Sequence, residues 1–152
     1  MPKVDVERLE LRTGLSYPVP FGELVRGRAR RRLGDAVCLT QFGVNLTTLA
    51  PGAATAHRHW HRNEDEFVFI LAGEATLIED DGETLLKAGE AAGFKAGIPN
   101  GHHVVNRGDR EVVLIEIGTR APMERAEYSD IDLMVEVDGR SFRYTHKDGT
   151  PY

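Results

Sequence analysis

Histidines and one glutamate with the spacing of a β-strand are the residues of this chain best suited to chemistry. His59 and His61 lie two residues apart, and because side chains alternate along a strand, both imidazoles should point to the same face. Glu66 follows at the head of an apolar run, and a second pair, His102 and His103, lies farther along the chain. Neutral imidazoles with one carboxylate suit a divalent transition metal ion such as Fe, Mn, Ni, Cu or Zn. The pattern therefore predicts one such ion, held inside a β-structure.

Strand parity also bears on the second histidine pair. Only one of His102 and His103 can share a strand face with Asn106, and parity favours His102. We therefore expect His102 to be the fourth ligand and His103 to lie outward or at the rim, although a ligand role for His103 stays open. The predicted metal ligands are His59, His61, Glu66 and His102.

Short apolar segments separated by glycine and proline must position these side chains. Such runs, rich in Val, Leu, Ile, Phe and Thr, are typical of an all-β protein. Asp80-Asp81-Gly82 lies between two of them and predicts a hairpin, because Asp-Gly tolerates positive φ. We also expect one long strand over residues 36–49, and a hairpin that pairs residues 102–106 with residues 111–117.

Composition indicates an ordinary globular protein. The 152 residues carry a net charge of −5, which does not favour nucleic acid or an anionic membrane as a partner. We find no membrane-length apolar stretch and no signal peptide, and the single cysteine, Cys38, excludes an internal disulfide, so we expect a cytoplasmic protein. Cys38 lies in an apolar segment and is expected to be a buried, inert thiol.

Two further patterns concern surfaces. If Glu66 points inward, strand alternation points three large apolar side chains outward. Because such a row is rarely left in water, we expect it to be covered by a second subunit in a homodimer, or by the N-terminal or C-terminal segment of the same chain. These outward residues are Phe67, Phe69 and Leu71. Five arginines between residues 26 and 32 could form an anion or nucleic-acid patch, but we interpret them as a solvated edge strand or loop.

The metal-binding pattern resembles the two motifs of the cupin superfamily. The first motif is a glycine, His-x-His, three or four residues, Glu, six residues and a second glycine. It corresponds here to Gly52, His59, His61, Glu66 and Gly73, with six rather than five residues between Gly52 and His59. The second motif, Gly-x5-Pro-x-Gly-x2-His-x3-Asn, corresponds to Gly93, Pro99, Gly101 and Asn106. Val104 stands at the histidine's place, whereas His102 keeps the His-x3-Asn spacing.

The resemblance covers about residues 45–118 and implies an all-β, double-stranded β-helix (jelly-roll) barrel, as in small single-domain bacterial cupins. It also implies a metal ion bound by three His and one Glu, and frequently a dimer that exchanges N-terminal strands. Residues 1–35 should then be an irregular or stranded segment on the barrel or a partner subunit. Residues 36–120 should form the barrel, and residues 121–152 a C-terminal extension.

The resemblance does not imply one reaction, because cupins include dioxygenases, isomerases, lyases, decarboxylases and non-enzymes. Our leading hypothesis is a metal-dependent enzyme acting on a small molecule, of the dioxygenase type, with an isomerase or lyase close behind. The alternative is a non-catalytic, metal-containing module that binds or senses a small molecule. Glu116 is equally compatible with an inward acid–base carboxylate and with an outward one.

Overall fold

Antiparallel β-strands make up most of the computed structural model, which describes residues 3–13, 17–139 and 141–152. The strands are β1 (Arg12–Thr13), β2 (Arg28–Arg32), β3 (Phe42–Leu49), β4 (His59–His61), β5 (Glu66–Ala72), β6 (Glu74–Glu79), β7 (Gly82–Lys87), β8 (Ala91–Phe94), β9 (His103–Val105), β10 (Val112–Thr119), β11 (Met123–Tyr128), β12 (Met134–Asp138) and β13 (Ser141–Thr145). Helical structure in the described residues is limited to α1 (Leu33–Ala36) and two 3₁₀ turns, Val6–Arg8 and Glu23–Val25. No helix in this part of the chain is long and apolar enough to cross a membrane.

Three sheets close around one core. The largest has the strand order β1-β2-β3-β10-β5-β8, the second β13-β12-β11-β4 and the third β7-β6-β9. Because consecutive strands often belong to different sheets, the chain crosses repeatedly between them, as in a jelly roll. The predicted all-β jelly-roll fold is therefore confirmed.

The core lies between the inner faces of these sheets. Leu49, Ile70 and Leu114, on the adjacent strands β3, β5 and β10, are fully buried. On β5 the alternation is as predicted, because Val68 and Ile70 point inward. Of the outward residues, Phe67 and Leu71 are 41% and 47% exposed, whereas Phe69 is half-buried. Part of the apolar row therefore does face solvent on this chain, and the homodimer that would cover it stays a prediction.

The predicted long strand over residues 36–49 is wrong in its first part. Residues 33–36 form α1, and a turn follows in which the Leu39 amide donates to the Gly34 carbonyl. Cys38 lies in this turn with φ at 58° and is exposed, so the prediction of a buried thiol is also wrong. β3 begins only at Phe42, because α1 packs against β3 where Gly34 leaves room for its backbone.

The predicted pairing of residues 102–106 with residues 111–117 is wrong as well. β9 pairs with β6, whereas β10 lies between β3 and β5 in another sheet. The buried side chain of Asn106 redirects the chain between them, since its Nδ2 donates to the carbonyls of Leu49 and Arg110 at 2.8 and 2.7 Å. Its Oδ1 accepts from the Gly108 amide at 3.0 Å, which closes the loop.

Both ends of the chain add strands to the sheets. Within residues 1–35, β1 pairs with β2, and β2 pairs along β3. At the other end, β11 pairs with β4 and places Tyr128 opposite His59 and Ala126 opposite His61. The hairpin of β12 and β13 continues that sheet. The strand that carries two predicted ligands is thus held by the C-terminal segment, while the predicted domain boundaries themselves stay predictions.

Candidate metal centre

Three separate segments bring the predicted ligands to one end of the barrel. His59 and His61 come from β4, and Glu66 is the first residue of β5. His102 lies directly before β9 and forms a two-way backbone bridge with His59, whose amide donates at 3.2 Å and whose carbonyl accepts at 2.9 Å. Gly101, the preceding residue, is buried against Ser129 and leaves no room for a side chain.

Oxygen Oε2 of Glu66 is the centre of the cluster. His61 Nε2 lies 3.4 Å from it and His59 Nε2 3.5 Å from it, while the two Nε2 atoms are 3.1 Å apart. Ligands at about 2.1 Å from one ion lie about 3.0–3.4 Å from their neighbours in tetrahedral or octahedral geometry. The donors of His59, His61 and Glu66 therefore have a spacing that fits one transition metal ion.

His102 takes a different place. Its Nε2 lies 2.9 Å from Glu66 Oε2, where the imidazole donates a hydrogen bond. Its ring is stacked on Phe94, with centroids 3.5 Å apart and planes at 3°. Among the described residues, two groups have donor atoms that all lie within 4.8 Å of one another, and neither contains His102. One is His59, His61 and Glu66, and the other is His61, Glu64 and Glu124. The structure thus brings three of the four predicted residues together and holds His102 against the glutamate.

The other ring nitrogens of the β4 histidines face acceptors. His59 Nδ1 donates to the carbonyl of His57 at 2.8 Å. His61 Nδ1 lies 3.5 Å from a carboxylate oxygen of Glu124 on β11 and 3.9 Å from one of Glu64. A proton on Nδ1 leaves the Nε2 lone pair for a metal ion, and such outer contacts fix the ring orientation. Both imidazoles therefore present the correct nitrogen to the centre.

Charges around the centre favour a cation. Burial opposes ionisation of Glu66, but hydrogen bonds from His102, His59 and His61 outweigh burial and hold its pKa well below the usual range. Burial also opposes a charge on His61, yet Glu124 and Glu66 raise its pKa to about 10. Burial lowers the pKa of His102, which keeps that imidazole neutral, as a ligand must be. The cluster therefore stabilises a positive charge, whether a proton or a metal ion carries it.

Glu124 is a functional residue that the sequence analysis missed. Its side chain is only 2% exposed, and its two oxygens accept the backbone amides of Arg62 and Asn63, each at 2.8 Å. These bonds tie β11 to the turn after β4 while the same carboxylate faces His61. Glu124 lies far along the chain from the histidine motif, so only the pairing of β11 with β4 reveals its role.

Two cavities meet at the cluster, with His61, Glu66, Phe94 and His102 in the walls of both. One has a volume of about 210 Å³ and is further lined by Trp60, Glu64, Glu79, Gly93, Lys95, Ile98 and Asn100. The other has a volume of about 260 Å³. Its further lining residues are Tyr17, Arg28, Arg30, Thr55, Ala56, His59, Phe67, Val68, His103, Val104, Glu116, Ile117 and Tyr144. A small molecule in either cavity would contact the cluster.

The basic run is solvated only in part. Arg26 and Arg32 have exposed side chains, as predicted, but Arg28 and Arg30 do not. β2 pairs with β1 on one side and with β3 on the other, and Arg28 and Arg30 point into the larger cavity. Glu116 also faces inward, which settles the alternative that the sequence left open. Arg30 donates from Nε and Nη2 to the two Glu116 oxygens at 2.8 and 2.7 Å, and Thr47 donates to the same carboxylate.

His103 does not point outward, although the expectation of a place at the rim is not contradicted. It is half-buried, lines the larger cavity, and its Nδ1 donates to the Ala56 carbonyl at 2.9 Å.

The i, i+2 spacing of Arg28 and Arg30 was the signal in the sequence that could have placed these arginines on one face.

The close approach at Gly101 gives a testable consequence. A Cβ atom there would lie 1.9 Å from Ser129 Oγ and 2.9 Å from Ser129 Cβ, so in Gly101→Ala either Ser129 or the chain directly before His102 must shift. We expect a loss of about 1–3 kcal/mol in the free energy of unfolding, measured by urea denaturation. Gly93→Ala is the control, because its Cβ would meet nothing closer than 3.5 Å. Equal stability of the two variants would contradict the close approach.

Comparison with known proteins agrees with this architecture. A family model described as the cupin domain matches residues 45–118. No curated protein matches the chain. A solved structure described as a sugar phosphate isomerase from a cupin superfamily, from Silicibacter pomeroyi, is 46% identical, with a TM-score of 0.96 over 99% of this chain and 96% of that one.

Two further structures are more distant. A putative sugar phosphate isomerase from Acidithiobacillus ferrooxidans is 25% identical, with a TM-score of 0.75 over 82% of this chain and 80% of that one. A predicted oxalate decarboxylase from Thermotoga maritima, 18% identical, has a TM-score of 0.63 over 79% of this chain and all (100%) of that one, and shows the shared fold alone. With 46% identity to a cupin over nearly its whole length and a matching cupin domain model, this chain belongs to the cupin superfamily.

Proposed function

We propose that this protein is a metal-dependent isomerase of a phosphorylated sugar, with His59, His61, Glu66 and His102 as the residues that hold the ion. One observation carries the proposal: the converging donors open into a cavity of about 260 Å³ that is lined by other ionisable side chains. The 46% identical structure described as a sugar phosphate isomerase supports the choice of reaction and substrate class.

Isomerisation between an aldose and a ketose moves a proton from the carbon that carries a hydroxyl group to the carbonyl carbon, while the hydroxyl proton passes to the carbonyl oxygen. A divalent ion held by the cluster would polarise the substrate oxygens at these two carbons. A side chain must carry the proton. Among the described residues lining the larger cavity and outside the ligand cluster, the groups able to do so are Tyr17, His103, Glu116 and Tyr144.

Glu116 serves a positioning role in this proposal. Two hydrogen bonds from Arg30 and one from Thr47 already occupy its carboxylate, so it fixes the Arg30 guanidinium within the cavity. Phe94, Val68 and Val104 supply apolar wall beside the cluster. Such walls exclude water and strengthen electrostatic interactions with a bound substrate.

The dioxygenase hypothesis and the binding-module hypothesis use the same ligand set, so the reaction must be measured. Protein loaded in turn with Mn, Fe, Ni or Zn is incubated in D₂O with a panel of aldose and ketose phosphates, and proton NMR follows the products. We expect interconversion of one pair, with deuterium entering at one of the two carbons. His61→Ala, which removes one ligand, is the matched control and should show neither change.

Two results would overturn the isomerase. Uptake of O₂ with one of these sugars, measured with an oxygen electrode and without interconversion, would favour the dioxygenase. If no ion supported interconversion, deuterium exchange or O₂ uptake, the result would favour the non-catalytic module that binds a small molecule.

A further inference from the structure

Two arginines, the buried Arg28 and the half-buried Arg30, lie side by side in the larger cavity. Arg28 and Arg30 are two apart on β2, and both donate to the carbonyl oxygen of Thr55, Arg28 through Nη1 and Arg30 through Nη2 at 3.2 Å. Two guanidinium groups that converge on one oxygen repel each other, and burial strengthens the repulsion. Arg28 is only 8% exposed, so water screens little of it.

The cavity also contains two carboxylates. Its lining, among the described residues, contains two arginines, Arg28 and Arg30, and two carboxylates, Glu66 and Glu116. Glu116 forms a bidentate ion pair with Arg30, while Glu66 lies among the histidines. These four charges sum to zero, and a divalent ion on the cluster, where Glu124 also faces His61, would add positive charge to the cavity. Burial, followed by repulsion from Arg30, lowers the pKa of Arg28.

A phosphate monoester suits a cavity lined by two guanidinium groups. A phosphate monoester carries close to two negative charges at neutral pH, whereas a carboxylate carries one. The planar guanidinium presents paired N–H groups that match two phosphate oxygens, and such charged hydrogen bonds are among the strong ones. Tyr17 and Tyr144 line the same cavity and bring phenolic hydroxyl groups to it.

We propose that Arg28, backed by the Arg30–Glu116 pair, binds the phosphate group of the substrate at the end of the cavity away from the metal ligands. This inference rests on the proposed function and deepens it, since it orients the sugar with its reacting carbons toward the cluster. Arg28 is then the residue that selects phosphorylated over neutral sugars. Arg30 is a positioning residue, because Glu116 already holds its guanidinium group.

Calorimetric titration of the Mn²⁺-loaded protein tests this assignment, with inorganic phosphate and acetate as probes. We expect phosphate to bind more tightly than acetate. Arg28→Lys should weaken phosphate binding about 10- to 100-fold, because lysine keeps the charge but lacks the paired N–H groups of the guanidinium. Arg32→Lys is the control, since Arg32 lies on the same strand with a side chain 53% exposed and pairs with Asp35. It should leave phosphate binding unchanged.

A second measurement avoids any folding defect of the Arg28 variant. In the wild-type protein labelled with ¹⁵N-arginine, phosphate should shift the Nε–H signal of Arg28 more than that of Arg32. Equal shifts, or unchanged phosphate affinity in folded Arg28→Lys, would overturn the assignment. If acetate bound as tightly as phosphate and its affinity depended equally on Arg28, the assignment to a phosphate group would be overturned and the site would be assigned to a carboxylate.

The two proposals fail separately. Arg28-dependent phosphate binding without any interconversion of sugar phosphates would keep the anion site and overturn the isomerase. Interconversion of neutral sugars at the same rate and KM as their phosphates, with KM unchanged in Arg28→Lys, would keep the isomerase and overturn the phosphate site.

Discussion

Purified His61→Ala is expected to contain almost no bound transition metal, whereas the wild-type protein should bind about one equivalent per chain. The imidazole Nε2 of His61 lies 3.1 Å from that of His59 and 3.4 Å from Glu66 Oε2, so its removal opens the centre of the donor group. Changing residues that only orient ligands weakens metal binding about 10- to 100-fold, and losing a ligand should exceed that. Elemental analysis of untagged protein and titration with Mn²⁺ or Zn²⁺ measure the difference.

The fold should survive this change. His61 is on a short strand whose backbone stays paired with β11, and the apolar core around Leu49, Ile70 and Leu114 does not include it. Circular dichroism should therefore show an unchanged β-spectrum. His146→Ala is the control, because His146 bonds to Asp132 away from the cluster. Full metal occupancy in His61→Ala would remove His61 from the ligand set.

Glu124→Ala is expected to weaken both the fold and the metal centre. Its carboxylate accepts two backbone amides and lies 3.5 Å from His61 Nδ1. Loss of a buried acceptor costs about 1–3 kcal/mol, measured as the free energy of unfolding in urea. Loss of the group that orients His61 should lower metal affinity about 10- to 100-fold, measured by the same metal titration.

A neighbouring carboxylate separates these effects from a general loss of charge. Glu127 lies on the same strand but binds the exposed side chain of Arg62, and such an ion pair contributes about 0–1 kcal/mol. Glu127→Ala should therefore change the free energy of unfolding little and leave metal affinity unchanged. A folded Glu124→Ala protein with wild-type metal affinity would show that Glu124 only joins β11 to the turn after β4.

Two residues that contribute to the site lie outside the two histidine motifs. Glu124 comes from the C-terminal segment and Arg28 from the N-terminal one, yet both reach the barrel end that carries the histidines. The ends of the chain therefore complete the site: one orients a histidine, and the other lines the cavity with positive charge. The motif residues alone describe only its centre.

Features that depend on local geometry could be predicted from the order of the residues alone. His59 and His61 share a face because side chains alternate along any strand, and the same period put Val68 and Ile70 inside. The hairpin at Asp80-Asp81-Gly82 formed as predicted, between β6 and β7, because its turn residues favour the required backbone angles. Together with the motif resemblance, these features were sufficient for the fold class and for three converging donors.

Features that depend on pairing between distant segments could be read only from the folded chain. Glu116 points inward because β10 lies between β3 and β5, with Glu116 opposite Asn45 and Val68. Arg28 and Arg30 left the predicted surface because β2 pairs with β3 in the register that turns this face toward the cavity. Strand alternation fixes which residues share a face, but not which face meets the core. That choice is made when strands far apart in the chain hydrogen-bond in one register and bury their apolar side chains together.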